Sequence, residues 1–196
     1  MTQTVKLACT CGKVAGEVKI IKQENFHVKC LCCDCQNFAT HLGHDDKTLD
    51  QHGGTELFQT YPAHVTITQG EEYIACLSFS PTGLLRFHTS CCNTPIGNML
   101  RNPKMPFVGI PVAFMQFTTP SEKDTTLGPI LMQAFAKYAK NGKPEGSHDR
   151  FPLSFMPKIL FFMGKGFFQK KFMPSPYFKD GKPVSPPQVL TDKQTT

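Results

Sequence analysis

Three groups of cysteines carry the chemistry of this chain: Cys9-Thr10-Cys11, Cys30-Leu31-Cys32-Cys33-Asp34-Cys35 and Cys91-Cys92. Thiolates are good ligands for zinc, which takes nitrogen and sulfur donors in a tetrahedron and makes the thiols it binds easier to deprotonate. A structural site fills all four positions with protein, whereas a catalytic site commonly keeps three and leaves one open. Cys30, Cys32 and Cys35 supply three sulfurs from a strand end and a helix start. Cys9 and Cys11 supply half a site, and Cys91-Cys92 is the natural distant donor. Cys33 and Cys76 read instead as bystanders, small hydrophobes of the usual kind. Asp34 suits a helix N-terminus. His41 and His44, which follow the middle cluster, have the chemistry of proton carriers.

The rest of the chain bears on which use of cysteine is expected. The first ten residues hold one lysine and no apolar stretch of signal-peptide length, so secretion is not expected. The longest nearly apolar run, residues 107–117, is far short of the roughly 20 needed to span a bilayer. A cytoplasmic location follows, and in a reducing compartment clustered cysteines point to metal or thiol chemistry rather than disulfides. The net charge of +6 is modest, and much of it lies beyond residue 136. It lacks the density and the motifs of a nucleic-acid binder, so no nucleic acid is expected as partner.

The elements that must position these residues are short. Strands are expected at residues 5–8 and 14–20 around the first cysteine turn, and at 26–31 running into the middle cluster. A short helix follows over 34–42, stopped by Gly43. Residues 57–61, 64–68, 72–79 and 84–88 then read as a meander with turns at Tyr61-Pro62, Gln69-Gly70 and residues 80–83. Many short strands at close spacing indicate a mainly β sandwich, barrel or tent. Beyond Pro120 the pattern becomes helical: Leu127, Ile130, Leu131, Ala134, Phe135 and Tyr138 predict a helix over 127–140, ended by Asn141-Gly142. The organisation expected is a β domain at 1–118, a Phe-rich, basic, partly helical extension at 119–180, and a loose tail at 181–196.

The motifs carry a resemblance. A Cys-x-Cys-Gly turn (Cys9, Cys11, Gly12) precedes a Cys-x-Cys-x-x-Cys run with a following glycine (Cys30, Cys32, Cys35, Gly43). The segment Arg86-Phe87-His88-Thr89-Ser90-Cys91-Cys92-Asn93-Thr94-Pro95 loosely matches Arg-Phe-Cys-x-x-Cys-Gly-Thr-Pro. Over about residues 5–100 the chain thus resembles the glutathione-dependent formaldehyde-activating enzyme family, which includes centromere protein V. The resemblance implies an Mss4-like (β-tent) fold with one structural zinc and one catalytic zinc on Cys30, Cys32 and Cys35. It implies carbon–sulfur lyase chemistry on an adduct such as S-hydroxymethylglutathione, with a glutathione-like thiol and an aldehyde as partners. The third motif departs from the family pattern. Counting from one side places Cys92 and Thr89 at the family cysteines; counting from the other places His88 and Cys91 there. The expected structural ligands are therefore Cys9, Cys11 and Cys91 with His88 or Cys92 as the fourth, two adjacent cysteines on one ion being expected to strain the backbone.

Other uses of the chain follow from its extension. Zinc could serve only to hold a non-catalytic module whose extension docks a protein or a membrane surface. Phe151, Phe155, Ile159 and Phe162 fall at helical spacing with lysines interleaved, as in interfacial helices. Pro157 interrupts them, so packing back on the domain, or a homodimer through the extension, is expected ahead of a membrane.

Overall fold

A computed structural model describes residues 2–190. Its strands are β1 (Thr2–Ala8), β2 (Ala15–Ile21), β3 (Phe26–Cys30), β4 (Thr55–Thr60), β5 (Val65–Gln69), β6 (Ile74–Ser78), β7 (Leu85–Thr89), β8 (Pro95–Met99), β9 (Val108–Pro111), β10 (Met132–Ala134), β11 (Phe178–Lys179), β12 (Lys182–Pro183) and β13 (Gln188–Val189). The helices are α1 (Cys33–His41), α2 (Asp45–Thr48), α3 (Pro120–Leu127) and α4 (Met156–Phe168). The fold is mainly β, as the strand spacing predicts.

β1 and β2 pair in register from Thr2↔Ile21 to Ala8↔Ala15, which puts Cys9 and Cys11 in the loop of a hairpin. Val5, Leu7, Val18 and Ile20 turn inward while Lys6 and Lys19 stay outside, the period of two expected of a half-buried strand. β5 completes this small sheet by pairing with β2. The larger sheet has the order β10-β3-β4-β9-β8-β7-β6-β13 and is mixed, with β10 on β3 and β13 on β6 parallel and the interior pairs antiparallel. The main core fills the space between the sheets, with Leu7, Val18 and Val65 on one side and Phe58, Phe87, Ile96 and Ile110 on the other.

Residues 57–88 do not form one meander. β4 lies between β3 and β9, whereas β5, after the Tyr61-Pro62 turn, crosses to β2 in the other sheet. β8 and β9 carry no alternation because every residue of both is buried; a strand covered on both faces hides from period-two reading.

The helix expected over 127–140 is absent. α3 lies earlier, starting where Thr119 accepts the Glu122 amide at 3.1 Å and the Glu122 carboxylate accepts the Thr118 amide at 2.7 Å, a reciprocal cap. It stops at Gly128, whose φ is 71° and which is followed by Pro129. Met132–Ala134 then extends as β10 and pairs with Val28–Cys30. An available sheet edge, beside a helix-breaking Gly-Pro pair, overrides apolar spacing that fits a helix.

Beyond residue 118 the chain is built into the fold at several points. Tyr177 is fully buried in the main core and donates to the Ile96 carbonyl at 2.9 Å. Within the expected tail, β12 pairs with β11 and β13 with β6; residues 191–196 lie outside those described. Among the described residues no helix is long and apolar enough to cross a membrane.

Candidate functional site

The inner cluster is made where β3 ends and α1 begins. Cys30 is the last residue of β3, Cys32 caps α1, and Cys35 lies in its first turn. Gly43, at φ 67°, turns the chain away after the helix as expected. The three sulfurs lie within 4.8 Å of one another. Cys30 bears on this geometry from the sheet as well, because Leu31 donates its amide to Ala134 at the end of β10 at 3.0 Å.

Arg86, named in the sequence only as the first residue of the third motif, has a larger part in the structure. It points from β7 into the interior, is 2% exposed, and reaches Cys35 Sγ at 3.9 Å, Asn98 Oδ1 at 3.1 Å and Asp34 Oδ2 at 3.8 Å. Its guanidinium also lies over the rings of Phe38 and Phe79, 5.5 Å from each centroid. A buried guanidinium requires negative partners. Three thiolates around a divalent ion would leave one net negative charge, which Arg86 is close enough to balance. Its place between Leu85 and Phe87, two apolar residues of β7, was the one local hint.

Even without an ion the cluster favours thiolate at one position. Hydrogen bonds from Cys30 and Cys32, with the charge of Arg86, hold Cys35 well below the usual thiol range. Cys30 is driven well above it by its hydrogen bonds with Cys32 and Cys35 and by burial. Cys32 is pushed up to about 12, its bond with Cys30 acting downward and that with Cys35, plus burial, upward. One thiolate shared by two thiols is what tightly packed donor sulfurs do before a metal displaces their protons.

The cluster opens on a cavity of about 640 Å³. All three ligand cysteines line it, with Asp34 as its one carboxylate and Lys29, Arg86, Lys137 and Arg150 as its cations. Leu57, Phe107, Met132, Phe135 and Phe151 make much of its wall. No fourth His, Cys, Asp or Glu among the described residues joins the three sulfurs. Cys33 is exposed and its thiol turns to Asp34, and Cys76 is buried in the core. Both stay outside the clusters, as expected.

The outer cluster joins the β1–β2 hairpin loop to the loop between β7 and β8. Its sulfurs are Cys9, Cys11, Cys91 and Cys92. Neighbouring separations are 3.6 Å for Cys9–Cys11, 3.5 Å for Cys11–Cys91, 4.0 Å for Cys9–Cys91 and 3.8 Å for Cys91–Cys92. Four sulfurs about 2.3 Å from a central ion in a tetrahedron stand roughly 3.8 Å apart, so the donor set fits a metal closely. Partial burial of Cys92 acts upward, yet hydrogen bonds from Thr10, Thr89 and Thr94 hold its thiol down at about 4.

Of the two expected fourth ligands, the cluster takes Cys92 and leaves out His88. The β7 register shifts between Phe87 and His88, and the His88 ring packs edge-on against Phe38 of α1, its Nδ1 buried and without a hydrogen-bond partner among the described residues. The adjacent cysteines fit together because Asn93 takes φ 57°, a left-handed turn that asparagine tolerates. His44 supports this site rather than the inner one, its Nε2 lying 2.7 Å from the Cys92 carbonyl; His41 lies exposed on α1.

A crystal structure of a Rhodobacter sphaeroides protein, determined as a Northeast Structural Genomics target, is similar at 19% identity and a TM-score of 0.43 over 64% of this chain and 96% of that one. No curated protein matches the chain. The model of a family of unknown function, DUF6151, matches residues 1–187, and the chain belongs to that family.

Proposed function

We propose that both clusters hold zinc, the outer to lock the fold and the inner to work on a thiol–aldehyde adduct as a carbon–sulfur lyase. The observation that carries this reading is the asymmetry of the inner cluster: three sulfurs, a charge-balancing arginine, and a cavity on the side without a fourth protein ligand. Sulfur-only donor sets suit zinc among the common divalent ions. The order of the cysteine motifs and the mainly β architecture agree with an Mss4-like domain related to the glutathione-dependent formaldehyde-activating enzymes.

Zinc bound here supplies a cation that can hold a substrate sulfur in the open position. The chain does the rest. In the lyase direction Asp34 takes the proton of the adduct's hydroxyl, the oxygen's electron pair closes to a carbonyl, and the carbon–sulfur bond breaks. The sulfur departs as thiolate near Arg86 with the pair of the broken carbon–sulfur bond, and Asp34 returns the proton on release as thiol. The reverse sequence joins thiol and aldehyde. Lys137 and Arg150 line the cavity wall and in this reading pair with carboxylates of a peptide-like thiol such as glutathione.

Metal analysis of the purified chain, followed by cobalt substitution and thiol titration, tests the reading. Two metals per chain and a thiol-dependent change in the cobalt–thiolate absorption, lost in Cys32→Ser, are expected. An inner site whose spectrum ignores every thiol tested, or that is filled by a fourth protein ligand, would falsify it.

A further inference from the structure

Among the described residues nothing covers one apolar face of α4. Its inward side is anchored: Phe162 stacks on Tyr61 with centroids 4.2 Å apart, the Tyr61 hydroxyl donates to the Phe162 carbonyl at 2.9 Å, and Phe155 packs against Phe26. Gly166 lies so close to Tyr61 and Pro106 that a Cβ there would collide with both, which fixes the roll of the helix. Leu160, Phe161 and Phe168 are thereby turned outward, at 63%, 72% and 86% exposure, with Phe167 and, on the preceding turn, Leu153 beside them. At 100° per residue these side chains share one face, which also includes Met156, Pro157 and Gly164. Pro157 does not interrupt it, since it sits at the start of the helix, where proline is tolerated.

Charge decides what covers that face. Residues 150–179 contain six cations, Arg150, Lys158, Lys165, Lys170, Lys171 and Lys179, and no carboxylate. Lys165 and Lys171 are engaged with Glu24 at 2.8 and 3.4 Å. Lys158 and Lys170 are exposed and make no ion pair among the described residues. A second copy on the same face would bring these like charges together. An anionic lipid surface neutralises them while its acyl boundary takes up the phenylalanines, the arrangement of a helix that lies in the interface. We infer that the outward face of α4, with Lys158 and Lys170, docks the protein peripherally on membranes rich in anionic phospholipid.

Vesicle sedimentation of the full chain tests this directly, using phosphatidylcholine vesicles with and without phosphatidylserine. Binding is expected only with phosphatidylserine, released by high salt, and weakened roughly tenfold or more by the double change Phe161→Ser with Phe168→Ser. Both side chains are exposed, so the thermal melt of the double variant should match the parent and separate lost binding from lost folding. The chain contains no tryptophan, which makes Phe161→Trp a single reporter; its emission should shift to the blue on anionic vesicles. Equal sedimentation of parent and double variant overturns the inference, as does the absence of any binding. A concentration-dependent dimer abolished by the same double change, with no vesicle binding, assigns the face to self-association instead.

Discussion

The two cysteine clusters use the same ligand atoms and differ in everything around them. The outer one gathers four sulfurs from two loops, with threonine hydroxyls and backbone amides directed at the sulfurs. The inner one has three sulfurs, one buried arginine and a cavity. A closed donor set stabilises a fold, while an incomplete one with a balancing charge and adjoining space can accept something. Two sets of sulfurs that could each hold a metal are thus told apart by their surroundings rather than by their ligands.

The largest expected effect falls on the outer cluster. Cys9→Ser should cost on the order of 4 kcal/mol of stability, since it opens a site that ties two loops together; denaturant unfolding checks it. Comparable stability in the variant would break the division of roles. Cys32→Ser should remove the inner metal and thiol binding while lowering stability by only about 1–2 kcal/mol, read by metal content and the same unfolding curve. Arg86→Met should keep the outer metal but weaken the inner one by roughly 10- to 100-fold, because the net charge of the cluster is left uncompensated. Competition with a chromogenic chelator measures that. Unchanged inner affinity would mean that Arg86 serves packing alone.

The smallest effect belongs to a charged cluster that contributes no ligand to either sulfur set. Glu56 is held at about 2 by hydrogen bonds from His27 and Lys123, against an ordinary 4.5. Its contribution is fully present above pH 4.5 and is lost as pH falls toward 2. Glu56→Gln should therefore cost about 1–2 kcal/mol at neutral pH after allowance for its partial exposure. The gap to the parent should close between pH 4.5 and 2, with both metals unaffected. A pH-independent gap would point to packing rather than charge.

Much of the candidate site was legible because cysteine spacing is local: residues 30, 32 and 35 had to converge once a strand met a helix. The partners of Cys9 and Cys11 were readable as a region but not as atoms. A register shift at Phe87/His88 and a left-handed Asn93 decide between His88 and Cys92, and neither leaves a mark in apolar periodicity. Arg86 was hidden because an arginine in a strand reads as solvated until the thiolates that neutralise it are placed. The fold was legible where one face is wet, as in β1 and β2, and illegible where both faces are covered, as in β8 and β9. α4 shows the converse: its apolar spacing was visible, but which side faces outward depends on Tyr61 and Gly166.

The sequence separation of the outer cluster has a consequence for how the molecule is made. Cys11 and Cys91 are 80 residues apart, and joining such distant points removes chain entropy worth about 4.5 kcal/mol from the unfolded ensemble, by the relation used for covalent cross-links. The inner cluster spans residues 30–35 and gains almost nothing this way. On a growing polypeptide the three inner sulfurs are all present once Cys35 emerges, while the outer set waits for Cys92. A metal ion would thus meet a full inner donor set first and a full outer one last, so that scarcity during synthesis would be felt at the outer cluster as failed closure of the chain.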